Sequence, residues 1–156
     1  MRVESARRWL LMTTVLVALA WCCVGTGVAS PTGRPVPDEE YFGLILLPRD
    51  EQGVEVPIRN GDETLGFAKA CTKHNFCSLM AMSSTIRGSG DKQSPEGPRV
   101  VYRGHVVGDG YDVVLRVVVD TSTFSRRGAP LDGRPIGVIT AYCEGSLRCP
   151  DVLNEM

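Results

Sequence analysis

Four cysteines, set as two identical C-x5-C pairs, constrain this chain more than any other feature: CTKHNFC at 71–77 and CEGSLRC at 143–149. An even set of cysteines reads as disulfides only in an oxidising compartment, so the amino terminus decides what they are. There Arg2, Arg7 and Arg8 precede an apolar run over 9–24, and small residues follow at Gly25, Gly27, Ala29 and Ser30. Positive, then apolar, then small is the order of a secretory leader, with cleavage predicted after Ala29. Residues 1–29 are thus predicted to be a signal peptide, 30–40 a flexible lead-in, and 41–156 a single disulfide-stapled domain, secreted or periplasmic. An uncleaved anchor is the alternative, because residues 9–28 are just long enough for a hydrocarbon core of about 30 Å. Thr13, Thr14, Gly25, Thr26 and Gly27 dilute that run.

Cys22 and Cys23 leave with the leader, and Cys71, Cys77, Cys143 and Cys149 remain for two disulfides. Four cysteines permit three pairings, and the local fold biases the choice. If 65–71 and 77–83 are the strands of a hairpin, Cys71 and Cys77 face each other across it and bond locally. If the same stretch is a helix, as the spacing of Phe67, Ala70, Cys71 and His74 allows, six residues turn the two side chains about 240° apart. A long-range pairing would then be required. Asn75 and Gly145 supply turn residues inside the two loops, and local pairing, Cys71 to Cys77 and Cys143 to Cys149, is the reading adopted. A four-cysteine zinc site is set aside, since structural zinc pairs are spaced by two to four residues; no metal and no cofactor is expected.

Strand signals dominate the rest. Residues 41–47 form a continuous apolar run closed by Pro48, and Val54, Val56 and Ile58 alternate with polar neighbours around Pro57. Residues 83–98, rich in Ser, Gly, Pro, Lys and Asp, read as a long surface loop. Residues 100–119 hold two β-branched runs joined by Gly108, Asp109 and Gly110, a hairpin signature. A last strand is predicted over 136–142. Six to seven short strands with polar turns indicate an all-β fold, a small sandwich or barrel with two disulfides. The alternative is α+β with a helix around 63–83.

Beyond the leader, fourteen Lys and Arg face seventeen Asp and Glu, a net charge of −3 with no basic cluster. Nucleic acid is therefore not an expected partner. Nucleotide-loop, nucleophile-elbow and zinc-protease motifs are all missing. Of the two histidines, His105 lies in the first arm of the hairpin, where Asp109 or Asp112 could hold its ring in a hydrolase, but no serine stands in a recognisable nucleophile setting. Asp109, Asp112 and Asp120 have the oxygen ligands calcium wants, at a spacing that matches no calcium loop. His74 sits in the Cys71–Cys77 loop among Lys73, Asn75 and Phe76. A disulfide-closed loop that shows a cation, an imidazole, an amide and an aromatic ring has the character of a contact surface; the alternative is an ordinary loop with Phe76 tucked into the core. The functional expectation is an exported binding protein that contacts another protein through Lys73, His74, Asn75 and Phe76, as an inhibitor, immunity factor or accessory subunit of an envelope or surface complex. The alternatives are a secreted hydrolase using His105 with a carboxylate, and a structural envelope component.

Overall fold

The computed structural model describes residues 37–95, 97–108 and 110–156. The leader with its cleavage site, the lead-in up to residue 36, and Asp109 lie outside the described residues. The described chain begins with a single helical turn, α1 (Asp38–Tyr41), then β1 (Leu44–Leu46) and β2 (Ile58–Arg59), which pair antiparallel as a small ribbon. Two helices follow, α2 (Gly66–His74) and α3 (Leu79–Arg87). The remaining strands, β3 (Asp91–Gln93), β4 (Arg99–Gly108), β5 (Tyr111–Asp120) and β6 (Gly137–Cys143), form one antiparallel sheet in the order β3-β4-β5-β6, and a 3-10 turn over Asp151–Asn154 ends the chain.

The β4–β5 hairpin is the one the β-branched runs predict. Tyr102 pairs with Val117 and Val106 with Val113, so one face presents Tyr102, Leu115, Val117 and Val119, all buried. Residues 136–142 supply β6, as expected, and add Val138, Ala141 and Cys143 to that face. Helices cover most of it, through Ala70 of α2 and Ala81, Met82 and Ile86 of α3 together with Phe76 and Leu153, and the small β1–β2 ribbon adds Ile58, with Val56 and Leu46 beside it. The chain is therefore strand-rich with helices, and the expected sandwich or barrel gives way to this arrangement.

The correction lies in 63–98. The predicted hairpin at 65–71 and 77–83 is instead α2 and α3, and the predicted surface loop at 83–98 contains the second half of α3 and all of β3. Ser78 starts α3 by accepting from the Ala81 amide (3.1 Å), an N-cap that satisfies one of the free amides of the first turn. Met82 and Ile86, one turn apart, are both fully buried, so the segment has a helical period. Gly66 opens α2 at φ 84°, and a side chain there would crowd the carbonyls of Arg59 and Asn60.

Two buried charges hold the loops to this frame. Arg59 donates to the carbonyls of Phe42 (2.7 Å), Pro135 (3.1 Å) and Ile136 (3.2 Å) and to both carboxylate oxygens of Asp132 (2.9 and 3.0 Å). It thereby ties a satellite cluster of Tyr41, Phe42, Leu65 and Ile136 to β2. Asp50 accepts from Lys92 Nζ (2.7 Å), the Tyr102 hydroxyl (2.9 Å) and the amides of Gln52 and Val54, which pins the 48–55 loop to β3 and β4. Burial and the Asp50 carboxylate push the Tyr102 hydroxyl far above its ordinary range, so it stays a donor.

Candidate functional site: the surface of the two disulfide loops

Helix α2 ends at His74 because Asn75 enters the left-handed region, φ 54°, a conformation that asparagine adopts more readily than most residues. The chain reverses there, Phe76 donates to the Ala70 carbonyl (3.0 Å), and Cys77 returns to Cys71 with a Cα–Cα separation of 4.7 Å. The disulfide is local even though Cys71 is helical. The 240° rotation assumed a helix unbroken through 77, and Asn75 breaks it. Cys143 and Cys149 are likewise bonded, Cα atoms 5.3 Å apart, around the tight loop that follows β6.

The two loops, distant in sequence, are stitched into one unit. Cys149 donates its amide to the His74 carbonyl (2.7 Å), and the Asn75 side-chain amide donates to the Cys149 carbonyl (2.9 Å) and to Asp151 (2.7 Å). Asn154 accepts from the Cys77 amide (2.7 Å) and donates to the Asn75 carbonyl (3.2 Å). The His74 ring lies 5.5 Å from that of Tyr142. Burial holds the His74 pKa below its ordinary value, and Lys69 and Lys73 add to that, against the opposing pull of the Leu147 carbonyl. Burial likewise lowers Lys69, with Lys73 and Arg99 repelling its proton further.

Lys69 and Lys73 thus act electrostatically on His74, and Lys73 and Arg99 on Lys69. Arg49, Arg59, Lys92, Arg103, Arg116, Arg127 and Arg134 are all ion-paired. Lys69, Lys73, Arg87, Arg99, Arg126 and Arg148 have no carboxylate within ion-pair distance among the described residues, and of these Lys73 and Arg148 lie in the two disulfide loops. Beside them Leu147 projects from its loop, 90% exposed. A fixed scaffold, an exposed aliphatic side chain and uncompensated positive charge together suit the binding of a carboxylate-bearing surface.

The predicted contact residues divide. Lys73 is exposed and His74 half-buried at this face. The Asn75 side-chain amide is spent on internal bonds. Phe76 is fully buried in the main core, which corrects its assignment to the contact surface: the reversal at Asn75 turns it inward. Sequence reasoning missed Lys69, Tyr142, Leu147 and Arg148, although the repetition of C-x5-C marked both loops.

His105 lies elsewhere, on the outer face of β4. Its Nδ1 is 3.4 Å from Asp112 Oδ1, and both side chains are about two-thirds exposed. It lines a cleft of about 370 Å³ between β4 and α3 that also contains Ser84 and Thr85. Asp120 accepts from the amide and hydroxyl of Ser122, and Asp109 lies outside the described residues, so the three carboxylates do not form a described cluster. No protein-family model matches this chain, and no curated protein matches it.

Proposed function

We propose that this protein is an exported binding protein that grips a carboxylate-bearing surface of another protein through the paired disulfide loops, as an inhibitor, immunity factor or accessory subunit of an envelope or surface complex. One observation carries the reading: Lys73 is exposed inside the Cys71–Cys77 loop and Leu147 inside the Cys143–Cys149 loop, two loops that disulfides close and hydrogen bonds join, while Lys69 of α2 and Arg99 of β4 add positive charge with no ion-pair partner among the described residues. Loops fixed in advance lose less conformational freedom on binding. The two disulfides support an oxidising, extracellular setting, and no helix among the described residues is long and apolar enough to cross a membrane. A photo-crosslinker at Lys73 in cells of the source organism should trap the partner. With the partner in hand, Lys73→Glu and Leu147→Asp should each weaken binding by more than about 1 kcal/mol, roughly fivefold in Kd, and His105→Ala should leave it unchanged. Unaltered affinity in both loop variants refutes the assignment.

The hydrolase alternative keeps one observation in its favour, that His105, Asp112 and Ser84 surround or adjoin a single cleft. Against it, the imidazole and carboxylate are both open to solvent, and 3.4 Å is beyond the usual N–H···O range. Ester or peptide hydrolysis abolished by His105→Ala, with binding intact in the Lys73 variant, would establish that reading instead.

A further inference from the structure

Strand β4 is ten residues long, and β3 covers only three of them, Val101 to Arg103. Where β3 ends, Ser89 completes the pairing: its hydroxyl accepts from the Arg103 amide (3.0 Å) and donates to the Arg103 carbonyl (2.9 Å). Beyond Arg103 no strand among the described residues lies on that side of β4. Antiparallel pairing alternates, so if Arg103 points its backbone groups away from β5, His105 and Val107 do too. The neighbouring strand agrees, because Val114, which sits opposite His105, gives its carbonyl to the Glu144 amide (2.8 Å) on the β6 side. Two amides and two carbonyls thus stand in a row, unpaired by any described strand.

The opposite edge of the sheet is treated differently. On β6, Val138 donates to the Pro57 carbonyl (2.8 Å), and α2 packs alongside. Exposed edges are usually blunted by lysine, proline or a bulge. Residues 104–108, Gly-His-Val-Val-Gly, have none of these, and the pairing with β5 is regular throughout. Large exposed apolar side chains gather at this edge and its cleft: Met80 is 70% exposed, Val107 69% and Met156 44%.

We infer that this edge pairs with the same edge of a second copy of the chain, β4 against β4, antiparallel about a two-fold axis through Val106. In that register His105 of one copy lies opposite Val107 of the other, and the reverse, so four hydrogen bonds use every free group on both edges. Adjacent registers fail. Setting His105 against His105 brings Val107 to Arg103, whose backbone groups Ser89 already holds; setting Val107 against Val107 carries His105 past the strand end at Gly108. The free length also matches, with Gly104 meeting Gly108 at each end before β3 begins.

Charge fits the same arrangement. The paired segments contain no lysine, arginine or carboxylate, so no like charges meet along the seam. The antiparallel register sets the Asp112 end of each hairpin beside the Arg103 end of the other. Inside, Val106 meets Val106 above the two joined clefts, where Met80 and Met156 gain cover. Two such short edges make a small interface of the weak, transient class, so dimerisation is expected at high micromolar rather than nanomolar concentration.

Sedimentation equilibrium of the purified, disulfide-bonded chain from about 10 μM to about 1 mM should show the weight-average mass rising towards twice that of the monomer. Amide exchange at His105 and Val107 should slow over the same range. Val107→Pro removes an amide that faces away from β5, and Val107→Lys sets an ammonium group in the seam; each should hold the chain monomeric at every concentration, and the lysine variant should melt where the wild type does. If the proline variant fails to fold, the lysine variant decides. A wild type monomeric at about 1 mM, or a dimer that survives Val107→Lys with unchanged exchange at His105, overturns the inference.

Discussion

Replacing Arg59 by methionine tests whether the buried guanidinium is the joint between the satellite cluster and the rest of the domain. Its side chain is 1% exposed and donates to three carbonyls and one carboxylate. Methionine fills much of the volume and meets none of those acceptors. Three carbonyls losing their donor at about 1 kcal/mol each, with the stranded carboxylate added, agree with the 3–5 kcal/mol typical of breaking a buried ion pair. For a domain of this size that is a fall in Tm of about 12–20 °C. Asp132→Asn should cost only about 1 kcal/mol, because that carboxylate is partly open to solvent. The double variant should cost less than the two single costs added, since the residues share one interaction. Thermal and urea unfolding supply the totals, and amide exchange supplies the location: Asn60 and Gly61, which donate to Gly43 and Tyr41, should lose protection first. A loss below about 1 kcal/mol in Arg59→Met, or full protection at Gly61, would refute the role assigned to Arg59.

Two further outcomes are expected. The carboxyls of Asp132, beside Arg59, and of Asp50, where Lys92, the Val54 amide and Tyr102 outweigh the opposing effect of burial, both titrate below their ordinary value. A folded pKa below the unfolded value of about 3.9 stabilises the protein above that pH and ceases to as pH falls through the folded pKa. Tm should therefore be level down to about pH 5 and fall below about pH 4, less steeply in Asp132→Asn; an acid limb with the same slope in that variant would refute the contribution of Asp132. Amino-terminal sequencing of exported protein should begin near Ser30, and recovery of intact Met1 in the membrane fraction would establish the anchor instead.

The elements that the sequence made legible were those whose period and punctuation agree. Residues 100–119 and 136–142 are β-branched and bounded by glycine, and both became strands of the main sheet. Residues 63–98 were misread because short apolar stretches lack a decisive period, and because the cysteine spacing was judged against an unbroken helix. The residue that resolves it, Asn75, was visible, but its left-handed conformation is fixed by bonds to Cys149, Asp151 and Asn154, far along the chain. Lys73 and His74 were legible as surface, whereas Phe76, expected at the contact, is in the core because the reversal at Asn75 turns it inward. Tyr142, Leu147 and Arg148 join them only after folding.

Both disulfides span six positions, and this shapes how the chain matures. Ends so close in sequence meet far more often than distant ones, since closure entropy grows with loop length. If the chain is exported amino terminus first, as proposed, Cys71 and Cys77 reach the oxidant together, before Cys143 follows. The earlier pair can close while no competing thiol from the later pair is yet present, and the later pair then has only itself. Under that route, oxidation in order of emergence favours the native connectivity without reshuffling.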